Sequence, residues 1–264
     1  MNFNKVISVR IKSYLLTLLK NKENRISNPD NLSHNVYNDS DFAGLYANRI
    51  EYNSHNALYE RPAMLSILPE VRDKKVLDAG CGPGALTSIL QDRGADVTAL
   101  DYSDEMIRLT KERTEGKVKT INANLNYPLD FLMDNEFDII VSSLTIHYIR
   151  DLRNLFSEFN RVLKINGELI VSTHHPFLDY SLHSDGNYFE TELLKDDWPA
   201  YNIEMEFYRR PLSELFNLFK EADFRITELS EPQPVKECEI NYPDTFKTLS
   251  SQPWFIFFKA IKER

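Results

Sequence analysis

A doubly wound α/β domain is the fold class this sequence predicts, and three observations predict it. Short runs that are apolar on both faces alternate with helical stretches of about ten residues, the pattern of parallel strands covered by helices on both sides. The first run leads into a glycine-rich turn, and the second ends in an acid. The chain has 264 residues, 42% hydrophobic and 27% charged, which suits one large domain or one domain with a lid. A net charge of −9 argues against a nucleic-acid partner, because phosphate backbones select clustered Lys and Arg. Two cysteines, Cys81 and Cys238, supply neither a disulfide framework nor a four-ligand zinc site, and suit a reducing cytoplasm.

The elements follow in order. Over residues 1–38 the sequence predicts an amphipathic helix and a linker, ahead of a main domain at 39–264. Apolar residues recur at Phe3, Ile7, Ile11, Tyr14, Leu15, Leu18 and Leu19, and Lys5, Arg10, Lys12, Lys20 and Lys22 precede the first acid, Glu23. Arg10 and Lys12 interrupt the stripe, so it does not read as a membrane span. With no small-residue cleavage site after it, it is not expected to be a signal peptide. It reads as a cap on the domain, with contact between residues 3–22 and an anionic membrane as the less favoured alternative. Residues 24–38, rich in Asn, Ser and Asp, read as the linker. Residues 42–68 look helical, with a break near Pro62.

Strands are then expected at 75–79, 96–101, 118–123, 137–142 and 168–173, with helices at 85–93, 105–114 and 151–163. Asn166-Gly167 ends the last of these helices, with Gly167 as its left-handed cap. Ligands of such a sheet sit at the carboxyl ends of its strands. Residues 174–210 are aromatic and irregular, too long for an ordinary connection, and read as a lid. A helix at 211–222 and two final strands at 224–229 and 254–261 complete the chain.

Asp78-Ala79-Gly80-Cys81-Gly82-Pro83-Gly84 leaves a strand and enters a helix, where glycines allow a tight turn and close approach of a ligand. By spacing, Gly80-x-Gly82-x-x-Ala85 also fits a dinucleotide fingerprint, and Asp101 stands where an acid accepts from ribose hydroxyls in either cofactor class. Asp78 separates them. A carboxylate two residues before Gly80 sits poorly beside a pyrophosphate but suits a ligand with an amino group or a cationic centre.

Four segments in order, Val76 to Gly84, Val97 to Ile107, Phe137 to Tyr148 and Arg161 to Ile170, resemble the motifs of the class I S-adenosylmethionine-dependent methyltransferases. The resemblance implies a Rossmann-like seven-stranded sheet with an antiparallel last strand, the cofactor S-adenosyl-L-methionine and the product S-adenosyl-L-homocysteine. It sets Gly80 and Gly82 against the methionine part, with Asp78 before them, Asp101 on the ribose, Tyr102 beside the adenine, and Met106 also against the cofactor. Asn124 and Leu125 take the place after the third strand where the family often has an acid, and an Asn oxygen also accepts from an adenine amine. Ser142 or Ser143 would border the methionine chain, Tyr46 would fold over the cofactor, and Arg61 would pair its carboxylate.

Methyl transfer from a sulfonium mostly demands alignment of the nucleophile and exclusion of water. A hydroxyl, phenol or thiol acceptor also gains from a base. His147 follows the fourth strand, and His174 and His175 follow the fifth, so these three are the candidate catalytic residues. In the lid, Tyr180, Trp198, Tyr208 and Arg209 are the candidate substrate residues: aromatic rings suit a small, flat or apolar acceptor and an arginine would pair an acidic group on it. The resulting expectation is a cytoplasmic methyltransferase acting on an O or N atom of a small molecule. Its alternatives are a non-catalytic S-adenosylmethionine sensor and, less favoured, an NAD(P)-dependent oxidoreductase.

Overall fold

The computed structural model describes residues 33–264. The expected N-terminal amphipathic helix lies outside the described residues. The last part of the expected linker is a 3-10 helix, Ser33–Asn38. Helix α1, Ser40–Arg49, follows, capped by Asp39, whose side chain accepts from Phe42 N. A π-helical turn, Asn56–Glu60, runs into α2, Arg61–Ile67. The break between helices therefore falls before Pro62, which sits in the first turn of α2, where its missing N–H costs no hydrogen bond.

The alternation then runs as expected: β1 (Lys75–Ala79), α3 (Ala85–Asp92), β2 (Asp96–Asp101), α4 (Asp104–Arg113), β3 (Lys119–Asn122), β4 (Phe137–Ser142), α5 (Leu152–Val162) and β5 (Leu163–His174). After β5 come α6 (Pro176–His183), β6 (Glu192–Trp198), β7 (Ile203–Arg209), α7 (Leu212–Glu221), β8 (Phe224–Ser230), α8 (Lys236–Asn241), α9 (Pro243–Leu249) and β9 (Phe255–Lys262). A seven-stranded sheet has the order β3-β2-β1-β4-β5-β9-β8. Its strands β1 to β5 pair in parallel, and β9 runs antiparallel to both β5 and β8. The strand order reverses between β1 and β4, so a crevice opens beyond their carboxyl ends.

Strand pleating sorts the core. Leu77 and Ile140 point to one face, beneath Leu155, Phe156 and Phe159 of α5 and Leu218 and Phe219 of α7. Their neighbours Val76, Ile139 and Val141 point to the other, beneath Ala63 and Met64 of α2 and Leu86 and Leu90 of α3. Cys81 and Cys238 are buried free thiols on this second face. Among the described residues no helix is long and apolar enough to cross a membrane.

Two expectations are corrected. The left-handed residue between α5 and β5 is Asn166 (φ 62°), not Gly167. The helix has already ended at Val162, and Leu163 pairs with Phe137 before a bulge in the β4–β5 ladder. Gly167 is held there by space: a Cβ would stand 2.8 Å from the Lys164 carbonyl oxygen and 2.9 Å from that of Asp138. The lid, expected to be irregular, is α6 followed by the hairpin β6–β7, a separate two-stranded antiparallel sheet. In β7, Met205 and Phe207 are buried between the more exposed Glu204, Glu206 and Tyr208, whereas Lys195, Asp196 and Asp197 hide the strand character of β6.

Phe159 is fully buried against the sheet and Ile165 is 60% exposed. In urea unfolding, Phe159→Ala is expected to lower stability by about 3–5 kcal/mol. Ile165→Ala is expected to stay within about 0.5 kcal/mol of the parent.

Candidate active site

The turn after β1 is built from backbone bonds. Gly80 N and Cys81 N both donate to Leu100 O at 2.8 Å, and Gly82 N donates to Asp101 Oδ2 at 2.9 Å. Thr110 Oγ1 on α4 donates to Gly82 O at 2.7 Å. Gly80 and Gly82 have φ of 86° and 53°, a region that strains any side chain. A Cβ on Gly80 would collide with the Thr145 side chain, whereas one on Gly82 would stand in open space. Asp101 Oδ1 accepts from Ser103 N at 2.9 Å. Burial lifts the Asp101 carboxyl to about 6, against the pull of these amide donors. Asp78 accepts from Thr87 Oγ1 at 2.6 Å, and burial, reinforced by Asp101 and Glu60, lifts it to about 7.

Three cavities open at these strand ends. The first, about 110 Å³, is lined by Tyr46, Glu60, Arg61, Asp78, Gly80, Gly82 and Met106, among others. A smaller chamber of about 70 Å³ holds Asp101, Tyr102, Asn124 and Leu125. These two share Tyr37, Gly80, Thr145 and Tyr148. The third, about 280 Å³, lies under the lid, lined by His147, His174, Asp179, Trp198, Tyr201 and Phe207 with others. It shares Tyr37, Tyr46, Asn56, Leu144 and Tyr148 with the first. The first cavity and chamber together present carboxylates, one arginine, backbone and a ribose-type acid. That set fits a methionine zwitterion and a nucleoside and leaves no cationic cradle for a pyrophosphate.

Several sequence-derived site residues are placed elsewhere by the structure. Ser142 is buried and donates to Ala79 O at 2.9 Å; strand alternation turns it away, and Ser143 lines the first cavity instead. His175 accepts from Phe177 N as the cap of α6, and its Nε2 lies 2.8 Å from Glu231 Oε1, so it does not line the large cavity. Tyr180 donates to Gly186 O at 3.3 Å and packs edge-on against Tyr188, outside that cavity. Tyr208 points the opposite way from Phe207 and lies under the Arg210 guanidinium, 5.1 Å from its ring centre. Arg209 is buried and donates through its two terminal nitrogens to the carbonyls of Tyr188, Asn187 and Glu190 and to Glu192, so it ties the lid together and does not line the large cavity, while its Nε makes no hydrogen bond. Trp198 does face the cavity, and His147 and His174 stack there with ring centres 4.1 Å apart. Burial pushes His147 well down and His174 to about 4, so both rings are neutral at physiological pH.

Other site residues escaped the sequence reading. Glu60 is 4% exposed and accepts from Ser143 Oγ (2.7 Å) and Ser172 Oγ (2.6 Å), which ties the N-terminal helices to the ends of β4 and β5. No spacing rule marks it. Leu144, left-handed at φ 46°, stands between the first and third cavities and donates its N–H to Ser172. Tyr37, assigned to the linker, is half-buried with its ring edge-on to Tyr46 and its hydroxyl 3.4 Å from that of Tyr148. An aromatic in a polar stretch was the signal that could have found it.

The fold and cleft thus define an α/β protein that binds a nucleoside-bearing ligand where the strand order reverses. A family model described as a methyltransferase domain matches residues 77–171. An uncharacterized protein of Haemophilus influenzae is 30% identical over 250 residues, 86% of this chain and 96% of its own length. A malonyl-acyl-carrier-protein O-methyltransferase of Enterobacter lignolyticus is 34% identical over 125 residues, 46% of this chain; the match spans 48% of that protein, about half its length. Among solved structures, an S-adenosylmethionine-dependent methyltransferase of Mesorhizobium loti shares the fold with a TM-score of 0.67 at 24% identity, covering 80% of this chain and 99% of that one. The chain belongs to the class I S-adenosylmethionine-dependent methyltransferase family. Its cofactor is S-adenosyl-L-methionine, released as S-adenosyl-L-homocysteine.

The buried acids make stability depend on pH. Asp78, Asp101 and Asp179 sit at about 7, 6 and 8, above their unfolded values, so the folded chain holds protons that the unfolded chain releases. Their contribution is fully present below about pH 4 and is lost as pH rises through 6 to 8. The lowered histidines act oppositely, but only below their unfolded value of about 6.5. The melting temperature of the ligand-free protein is therefore expected to fall between about pH 6.5 and 8.5. Asp179→Asn is expected to flatten that slope in thermal denaturation.

Proposed function

We propose that this enzyme methylates an O or N atom of a small molecule held under the lid. The observation that carries this is the wall shared by two cavities: Tyr37, Tyr46, Leu144 and Tyr148 line both the cleft at the strand ends and the larger aromatic cavity. The bound cofactor supplies an electrophilic methyl carbon on a sulfonium. In this reading Asp101 accepts from the ribose hydroxyls, Tyr102 and Leu125 flank the adenine, and Met106 lines the first cavity. Asn124 lies in the same chamber, but its Oδ1 already accepts from Asn126 N and Nδ2, so a bond to the adenine amine competes with these. Asp78 and Glu60 face the ammonium, Gly80 and Gly82 give the backbone room, and Arg61 faces the carboxylate. Arg61 is pre-set for this by donating to Ile50 O at 2.9 Å, which leaves part of its fork for the ligand.

The acceptor's alignment falls to the aromatic walls. Tyr46, Trp198 and Tyr201 pack within 6.5 Å of one another, with Phe207 edge-on to His147 and His174. These rings exclude water and hold a flat molecule by its faces. The neutral His147 and His174 accept hydrogen bonds from an acceptor's N–H or O–H and turn its lone pair toward the methyl. The relatives' names add a malonyl group as one acceptor in this family, but on a match to half of that protein. Two buried free thiols and a net charge of −9 support a cytoplasmic setting.

A thermal-shift titration with S-adenosylmethionine, S-adenosylhomocysteine, NAD and NADP tests the cofactor roles. At 100 times the dissociation constant the two sulfur ligands are expected to add about 2.7 kcal/mol of stability. Asp101→Ala is expected to lose that gain, measured from its own lowered ligand-free melting temperature, since Gly82 N and Ser103 N lose their acceptor. A shift with NAD or NADP alone would overturn the reading.

A further inference from the structure

The large cavity is acidic and carries no matching positive charge. Asp179 of α6 is 8% exposed, and Asp196 of β6 faces the same space. No Lys or Arg is among the residues lining it. The two arginines that end β7 are turned away, Arg209 to lid carbonyls and Glu192, and Arg210 to the carbonyls of Ile149 and Arg150. Arg49 lies over the Tyr201 ring, 4.9 Å from its centre.

What accompanies the two acids does not neutralise them. His174 Nδ1 is 3.7 Å from Asp179 Oδ1, and burial keeps that ring neutral. Trp198 Nε1 donates to Asp196 Oδ2 at 2.9 Å, and His183 Nε2 is 4.0 Å from Asp196 Oδ1. Burial first, and then the charge of Asp196, push the Asp179 carboxyl to about 8, against a weaker pull from Arg209, which stands behind the cavity wall and is already paired with Glu192. Without a cation between them the two acids do not both ionise and Asp179 keeps its proton, whereas a cation seated there takes the place of that proton and joins both carboxylates. The walls add the rings of Tyr46 and Trp198, whose π faces attract cations and give nothing to an anion, while Tyr201 already has Arg49 over one face.

We infer that the methyl acceptor is an organic cation, a small flat amine or protonated nitrogen heterocycle, whose charged nitrogen is seated by Asp179 and Asp196. This rests on the reading of the cavity as the acceptor site. The nitrogen is the handle; the methyl is received at the end facing Tyr46 and Leu144, where this cavity meets the cofactor cleft. A carboxylate in the same place would meet two acids and no counter-ion. The chain therefore parts from the malonyl acceptor in its relatives' name, since a malonyl group ends in a carboxylate.

The test is calorimetric titration of the full chain saturated with S-adenosylhomocysteine, using pairs matched in shape and opposite in charge. The pairs are tyramine with 4-hydroxyphenylacetate, and tryptamine with indole-3-acetate. An amine is expected to bind at least about tenfold more tightly than its matched acid, a difference of about 1.4 kcal/mol. Asp179→Asn and Asp196→Asn are each expected to weaken the amine by about tenfold and to leave the S-adenosylhomocysteine affinity unchanged. Asp196 is partly exposed, so its variant carries the test if Asp179→Asn does not fold. Acids that bind as well as amines, neither class binding, or amine affinity that survives the substitutions would each overturn the inference. A parent chain that fails to bind S-adenosylhomocysteine at all would instead overturn the cofactor reading, and the inference with it.

Discussion

The Asp101 carboxylate is the joint on which this site turns. One oxygen accepts from Gly82 N and the other from Ser103 N, both at 2.9 Å, so one side chain fastens the turn after β1 to the start of α4. Taking a carboxylate out of water is unfavourable, and charge-assisted bonds to amides are what offset it. The turn cannot then sag into the cleft, because Gly80 N and Cys81 N are also held by Leu100 O. The same joint receives the N-terminal segment. Ser103 Oγ donates to Tyr37 O at 2.6 Å while it accepts from Met106 N, which places the Tyr37 ring over the strand ends.

A second layer of the site is assembled by Glu60. Its two serine donors come from the ends of β4 and β5, and its own place is the turn leading into α2. Leu144 bends into a left-handed conformation just after β4, at a cost on the order of 1–2 kcal/mol, and its N–H is pinned to Ser172 at 3.0 Å. That bend puts one aliphatic side chain against both the cofactor cleft and the acceptor cavity. The division of labour follows the architecture. Under the proposed function, sheet ends and their turns hold the cofactor, while the segment between β5 and α7 supplies part of the acceptor's walls and both of its acids.

Legibility followed the range of the forces involved. The parallel strands could be read because each is a short apolar run buried on both faces, and the turn because Asp78, Gly80, Gly82 and Asp101 act through nearby backbone. The β6–β7 hairpin was hidden because β6 carries Lys195, Asp196 and Asp197, residues that favour solvent, and its pairing with β7 sets its form. Gly167 misled because glycine has two uses, left-handed turns and close contact, and here it serves the second while Asn166 takes the first. Arg209 and Tyr180 misled because an aromatic or an arginine in a lid serves equally well as lid architecture.

The sequence by itself determined the parallel sheet, the reversal point that makes the cleft, and the class of cofactor. Those features depend on short runs buried on both faces and on side chains within a few residues of the backbone they shape. Only the tertiary structure decided that Glu60 joins the cofactor cleft, that His175 caps a helix, and that Arg209 faces the lid. It alone set Asp179 and Asp196 in one cavity without a cation. Burial creates those properties: an acid becomes uncompensated, or an imidazole neutral, only when distant segments close over it and water leaves, and no local pattern of residues records which segments will meet.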